Sequence, residues 1–236
     1  MAYSKRFDGR KAHEMRKIDA KVGVIPRADG SAMFRFGDTV AVAAVYGPRH
    51  LHPQFMQNPQ TGILRCNYDM LSFSVTERKK PGPARRSQEI SDVTAKSLEP
   101  VLQLTQFPNT VVDIFINITQ ADAGTRCAGI NAASLALAHA GIPMTDLVGA
   151  VSVGKIGDAI VVDLTKEEED YEEDGEKSAT DIPMAFTLRD GKLSLLQLDG
   201  RIRPEELKEA LKAGKKACEE IYEIQKKALK AIKEDK

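Results

Sequence analysis

Cysteine is scarce in this chain: three in 236 residues, at 66, 127 and 218, with no CxxC pair and an odd thiol left over. That count excludes a disulfide framework and a cysteine-built zinc site, and it fits reduced, buried thiols in a cytoplasmic protein. No apolar run approaches the roughly 20 residues of a membrane-spanning helix. The opening MAYSKRFDGRK lacks the apolar stretch of a secretion signal. The four histidines, at 13, 50, 52 and 139, show neither an i, i+4 nor an HxxE spacing, so the common zinc-enzyme patterns are missing. There is no nucleophile elbow to support Ser-His-Asp hydrolysis. Internal repeats and flexible linkers are also missing, so the chain reads as one domain, 1–236.

What is present is a segregation of charge. Lysine plus arginine equals aspartate plus glutamate, 34 each, for a net charge of zero. Yet EEEDYEEDGE, residues 167–176, holds eight acids and no base, so the rest of the chain is basic. A basic body with one acidic loop, at about 165–180, suits a polyanionic partner. The apolar content of 42% is enough for a sizeable core.

Periodicity divides the chain into strands, helix, strand, helix, strands, helix. KIDAKVGVI (17–25), SAMFRFG (31–37), DTVAVAAVYGP (38–48) and ILRCNYDML (63–71) read as strands. SQEISDVTAKSLEPVLQL (87–104) reads as a helix capped by Ser87 with Ile90, Val93, Leu98 and Leu102 on one face, and Pro100 kinks or ends it. TVVDIFINITQAD (110–122) is a strand, and GTRCAGINAASLALAHAGIPM (124–144) a helix of small apolar residues. A run of strands with Gly-Asp and Asp-Gly turns follows. The helix at 203–234 closes the chain, with Leu207, Leu211, Cys218, Ile221, Ile224 and Ile232 as its buried stripe. The fold class is α+β, mainly antiparallel sheet covered by helices.

Three stretches can carry chemistry. RKKPGPARRSQE (78–89) has five bases in its first nine residues. Arg85 and Arg86 stand at a helix start, where fixed guanidinium donors and free amides suit a phosphate or an RNA backbone, although such a loop can equally be a solvated surface. DAGTR (122–126) joins a strand end to a helix start: Gly124 permits close approach, Thr125 offers a hydroxyl and an amide, and Arg126 a fork. The alternative is a plain helix cap. Last come the carboxylates Asp163, the acidic loop and Asp181, where two at adjacent strand ends can hold a divalent cation or act as a general acid.

RFDGRK (6–11), GDTVAVAAVYGPR (37–49), PGPARRSQEIS (81–91), QADAGTRCAGINAASLALAHAGIPM (120–144), VVDL and TDIPMAF (180–186) together resemble the RNase PH family, in order and spacing over nearly the whole chain. The likeness is greatest to the catalytic RNase PH-like subunits of the archaeal exosome. It implies a single RNase PH-like domain and a phosphorolytic 3′-to-5′ exoribonuclease that releases nucleoside diphosphates and can run in reverse to tail RNA. It implies that Arg85 and Arg86 hold the RNA 3′ end and that Gly124, Thr125 and Arg126 bind the attacking inorganic phosphate. Asp181 is implied as a catalytic and metal-ligating residue for Mg²⁺ or Mn²⁺. The family's other aspartate falls in a loop that is longer here, and Asp170 is the expected equivalent, with Asp174 and Glu169 behind it. Gln54 stands where related archaeal subunits place an arginine at a ring's pore, so the RNA contact there is expected from His52, Arg65 or a partner subunit instead. The implied partners are an inactive RNase PH-like paralogue, giving a hexameric ring of three heterodimers, and RNA-binding cap subunits. A homohexamer that trims tRNA 3′ ends and a non-catalytic RNA-binding ring subunit are the alternatives.

Overall fold

A computed structural model describes residues 6–77, 79–173 and 176–231. Its strands are β1 (Ile18–Val22), β2 (Gly30–Phe36), β3 (Thr39–His50), β4 (Ile63–Met70), β5 (Thr110–Gln120), β6 (Val148–Ile156), β7 (Ala159–Val162), β8 (Glu172–Glu173), β9 (Glu176–Lys177), β10 (Ala179–Thr187) and β11 (Lys192–Leu196). Its helices are α1 (Arg85–Leu98), α2 (Thr125–His139), the one-turn α3 (Lys166–Glu169) and the long α4 (Pro204–Ala231).

The strands form a five-stranded sheet ordered β1-β2-β3-β5-β4, a four-stranded sheet ordered β11-β10-β6-β7, and the small hairpin β8-β9. All pairings are antiparallel except β4 with β5. That parallel pair needs a crossover connection, and α1 supplies it.

The centre of the molecule is α2. Every residue from Cys127 to Leu137 is buried. Such a helix must be apolar all round, and the alanines that make it so also let it pack closely between layers. It packs on β2, β3 and β5 of one sheet, on β6 and β10 of the other, and on α1 and α4. At Gly129 a Cβ would lie 3.1 Å from Ile116 and 3.6 Å from the Tyr68 ring, so a small residue sets the approach of α2 to β4 and β5. Asn131 ties α2 to the second sheet: its amide donates to the Ala150 carbonyl at 2.7 Å and its oxygen accepts from the Ala150 amide at 2.9 Å.

The helix limits correct the expectation at α1. Ala84, not Ser87, is the N-cap. Ser87 sits three positions in, where its hydroxyl accepts from the Ala84 amide at 2.8 Å, closing the helix start from inside. Pro100 ends α1 at Leu98, in a 3₁₀ turn over Glu99–Val101. On α4 the buried residues are Ala210, Gly214, Ala217, Cys218, Ile221 and Gln225; Leu207, Leu211 and Ile224 are only half-buried, and Ile232 lies outside the described residues. The stripe is built of smaller side chains than expected because α4 lies close on β6, with Cys218 against Gly149.

Candidate active site

The turn after β5 is shaped before any ligand arrives. Ala123 and Gly124 both take left-handed backbone, with φ of 53° and 64°. A residue other than glycine is disfavoured there by roughly 1–2 kcal/mol, so Ala123 is held by its surroundings. Thr39 does the holding: its hydroxyl donates to the Ala123 carbonyl at 2.7 Å and accepts from the Asp122 amide at 2.9 Å. Gly124 then caps α2 with no side chain, so the opening amides of the helix are not covered by a capping group. Free amides at the positive end of a helix dipole form an anion cradle.

Two buried donors face the same place. Arg126 Nε is buried without a hydrogen-bond partner, and the nearest carboxylate to its guanidinium is Glu89 of α1, 3.8 Å away. The buried Tyr68 hydroxyl, from β4, is also unpartnered. Burial pushes that phenol up to about 12; the neighbouring Thr125 side chain and the charges of Arg86 and Arg126 oppose the rise. Orphaned buried donors cost about 1–3 kcal/mol each. Their gathering with an uncapped helix end marks a site built for an incoming anion.

Arg85 and Arg86 open α1 and are exposed, so the structure puts the basic pair at a helix start as expected. Through Glu89 the first turns of α1 reach Arg126, which brings the RNA-gripping candidates to the phosphate-turn candidates. Lys79 of the same basic loop pairs with Asp69 at 3.5 Å, and Arg78 lies outside the described residues.

Asp181, on β10, is the candidate carboxylate whose charge couples to Arg126. Burial raises its pKa, the hydrogen bond from the Ser152 hydroxyl opposes that rise, Glu169 adds to it, Arg126 opposes it, and Asp199 adds to it. Asp181 is therefore within electrostatic reach of both the phosphate turn and the acidic loop. Of the acidic-loop carboxylates, Glu169 is the one whose charge acts on Asp181, and the expected Asp170 is its neighbour in the chain. The Asp170 side chain is 57% exposed and bound to Lys166 at 2.6 Å, whereas that of Glu169 is 22% exposed. α3 ends at Glu169, and Asp170 is its C-cap, outside the helix. Asp174 lies outside the described residues.

Asp163 is taken up by arginines. It is 2% exposed, and its oxygens accept from Arg16 at 2.7 and 2.9 Å and from Arg10 at 3.3 Å. Arg16 also donates to Asp122, at 3.1 Å to the carboxylate and to the backbone carbonyl. Nearby, Arg6 grips Glu168 through two bonds of 2.8 and 2.7 Å and donates to the carbonyls of Val162 and Asp163, each at 2.8 Å. These arginines brace the phosphate turn and the acidic helix. Sequence reasoning missed them, together with Tyr68, Ser152 and Glu89. The quoted RFDGRK stretch was the available signal for Arg6 and Arg10.

His52 and Arg65 are not brought to this site. Both are exposed, and Arg65 is engaged by Asp113 at 2.5 and 2.9 Å. Arg65 pairs with Asp113 early in β5, and the phosphate turn follows the last residue of that strand. At about 3.3 Å per residue this puts the two groups roughly 25 Å apart.

The family comparisons agree with this architecture. Residues 14–143 match the 3′ exoribonuclease family, domain 1, and residues 146–217 match its domain 2. The chain is 52% identical over 226 residues to exosome complex component Rrp41 of Thermococcus gammatolerans, covering 96% of this chain and 88% of that one. It is 50% identical over 225 residues to the Methanopyrus kandleri component of the same name, covering 95% and 92%. Among solved structures, rice Rrp46 shares the fold with a TM-score of 0.84 at 24% identity, over 95% of this chain and all of that one. The Archaeoglobus fulgidus exosome with RNA bound to the active site gives a TM-score of 0.78 at 22% identity, over 93% and 92%. With both domain matches in register and half of its residues identical to these relatives, the chain belongs to the RNase PH family of 3′ exoribonucleases.

Proposed function

We propose that the chain is the catalytic ring subunit of an archaeal exosome and shortens RNA from its 3′ end by phosphorolysis. The observation that carries this reading is the meeting of two orphaned buried donors, Arg126 Nε and the Tyr68 hydroxyl, with the uncapped start of α2. An inorganic phosphate satisfies all three at once. The names of the relatives support the exosome assignment.

In this reading Gly124, Thr125 and Arg126 hold the attacking phosphate, and Arg85 and Arg86 hold the backbone of the last nucleotides. Two anions repel, so positive charge from two elements is needed to bring them together. A phosphate oxygen bonds to the last bridging phosphorus, the bond to the 3′ oxygen breaks, and a nucleoside diphosphate leaves. This is transfer to phosphate rather than to water, and the reverse step adds nucleotides.

The buried Asp181 fits a divalent cation, because Glu169 and Asp199 crowd it with like charge that a cation relieves. No group of three metal-ligating side chains gathers among the described residues; Mg²⁺ needs only one or two carboxylates beside water and substrate phosphates. When bound, Mg²⁺ or Mn²⁺ supplies charge neutralisation at the leaving 3′ oxygen. Asp181 would hold it together with Asp170 or Glu169 from the acidic loop, and Ser152 orients Asp181. His52 and Arg65 guide the strand from the far end of the sheet. An inactive paralogue completes a ring of three heterodimers, with RNA-binding cap subunits above it.

The test incubates the chain, with its partner subunit, with oligoadenylate and Mg²⁺, with and without phosphate. Phosphate-dependent release of ADP is expected. Release of AMP, or none, overturns the reading, and an active homohexamer of the chain alone overturns the exosome assignment.

A further inference from the structure

A cavity of about 320 Å³ opens where the outward face of β4 and β5 meets the first turns of α1. It adjoins the phosphate turn, because Tyr68 lines it as well. Ser87, Gln88 and Ser91 line it, whereas Glu89 faces Arg126. The volume is at the small end of ligand pockets, which run from about 300 to 1,000 Å³.

Much of its wall is polar. Asn67, Asn117 and Gln88 carry amides that make no hydrogen bond to another described residue. Phe115 presents a ring that is 39% exposed, steadied by an edge-on contact with Tyr46 at 5.9 Å between centroids. The one carboxylate in the lining, Asp69, has Lys79 at 3.5 Å, so the cavity does not repel a polyanion. An aromatic ring to stack on and amides that both donate and accept are the means by which proteins hold an unstacked nucleobase.

The register places the cavity on a route. Along β4 and β5, Arg65 stands opposite Asp113, then Asn67 opposite Phe115, then Asp69 opposite Asn117. Beyond them the chain runs through the basic loop to Arg85 and Arg86. A strand laid from Arg65 towards the arginine pair crosses the cavity.

We propose that this cavity is a base subsite for single-stranded RNA, in which Phe115 stacks on a base and Asn67, Asn117 and Gln88 bond its edge without choosing among the four. The proposal rests on the RNA-degrading reading above and adds to it a contact upstream of the reacting bond.

The test titrates oligoadenylates against the native assembly by fluorescence anisotropy. Each oligomer carries one abasic position, moved stepwise back from the 3′ end. In the wild type, one position is expected to weaken binding about tenfold, in line with the loss of one stacked base. In Phe115→Ala and in Asn67→Ala/Asn117→Ala that position should cost no more than about twofold, with turnover at saturating RNA unchanged. Gln88→Ala, on an exposed helix surface, is the variant least able to disturb folding and should show a smaller loss of the same kind. If all abasic positions cost the wild type and the variants alike, the subsite is wrong, whether or not phosphate-dependent ADP release is seen. If ADP release is missing but the abasic position still depends on Phe115, the chemistry fails and the subsite stands as an RNA contact.

Discussion

Arg16 closes on both oxygens of Asp163, at 2.7 and 2.9 Å, while its remaining nitrogen holds Asp122 at 3.1 Å. One buried guanidinium thus joins the phosphate turn to the strand end that leads into the acidic helix. Breaking a buried pair leaves an uncompensated charge and costs about 3–5 kcal/mol. Arg16→Ala should lower unfolding stability by that amount in urea titrations. Arg16→Lys keeps the charge but loses the fork and should recover only part of it. Equal stability of Arg16→Ala and the wild type would show that the brace does not matter.

Asp181 binds its proton more tightly in the folded chain than in the unfolded one, because burial raises its pKa. At neutral pH its ionised form therefore costs stability. That cost fades as pH falls through the raised value and is gone below the ordinary value of 3.8. Asp181→Asn should accordingly melt higher than the wild type at pH 7 and at the same temperature near pH 3.5, while losing divalent-cation binding and activity. Thermal melts across this range check it; a difference that does not change with pH defeats the explanation.

Arg85 and Arg86 are exposed at the start of α1, so their contribution to RNA binding is electrostatic and readable from salt. Each phosphate contact to a single strand adds about −0.7 to the slope of log affinity against log salt. Arg85→Ala/Arg86→Ala should flatten that slope by about 1.4 and abolish degradation at moderate salt. An unchanged slope would place the RNA elsewhere.

Glu169 is the last residue of α3 and Asp170 its C-cap, and the two differ in exposure, 22% against 57%. Glu169→Gln should raise the Mg²⁺ concentration needed for half-maximal activity by about tenfold, and Asp170→Ala by less than twofold. Direct Mn²⁺ binding, followed by calorimetry, separates this from a loss of catalysis. The reverse order would restore Asp170 as the metal-side carboxylate.

These contrasts follow what the chain made readable. The strands were legible because alternation and turn residues are local signals, and the edges of β3 and β5 fell close to where Gly37, Asp38 and Thr110 put them. The turn into α2 was legible because DAGTR puts a glycine where a strand end meets a helix start. The start of α1 was misplaced because a serine can close a helix start from the third position as well as cap it. Asp170 was preferred over Glu169 by alignment, and a run of acids carries no information on which side chain turns inward. Arg6 and Arg16 were invisible as braces, since their partners Glu168 and Asp163 lie 162 and 147 residues away. Tyr68 lay inside an ordinary strand pattern, where nothing separates a core tyrosine from one whose hydroxyl faces an anion.

The same long separations govern when the site can exist during synthesis. Arg6 leaves the ribosome early and can find Glu168 only after 162 further residues have followed. Until then Arg6 has no Glu168 and Arg16 has only Asp122 of its two carboxylates, so the turn is held by Thr39 without its link to the acidic helix. A stalled or truncated nascent chain that has folded its first sheet would therefore be cationic at its leading end and unable to cut RNA. The ability to degrade a transcript arrives late in translation, all at once, with the acidic helix.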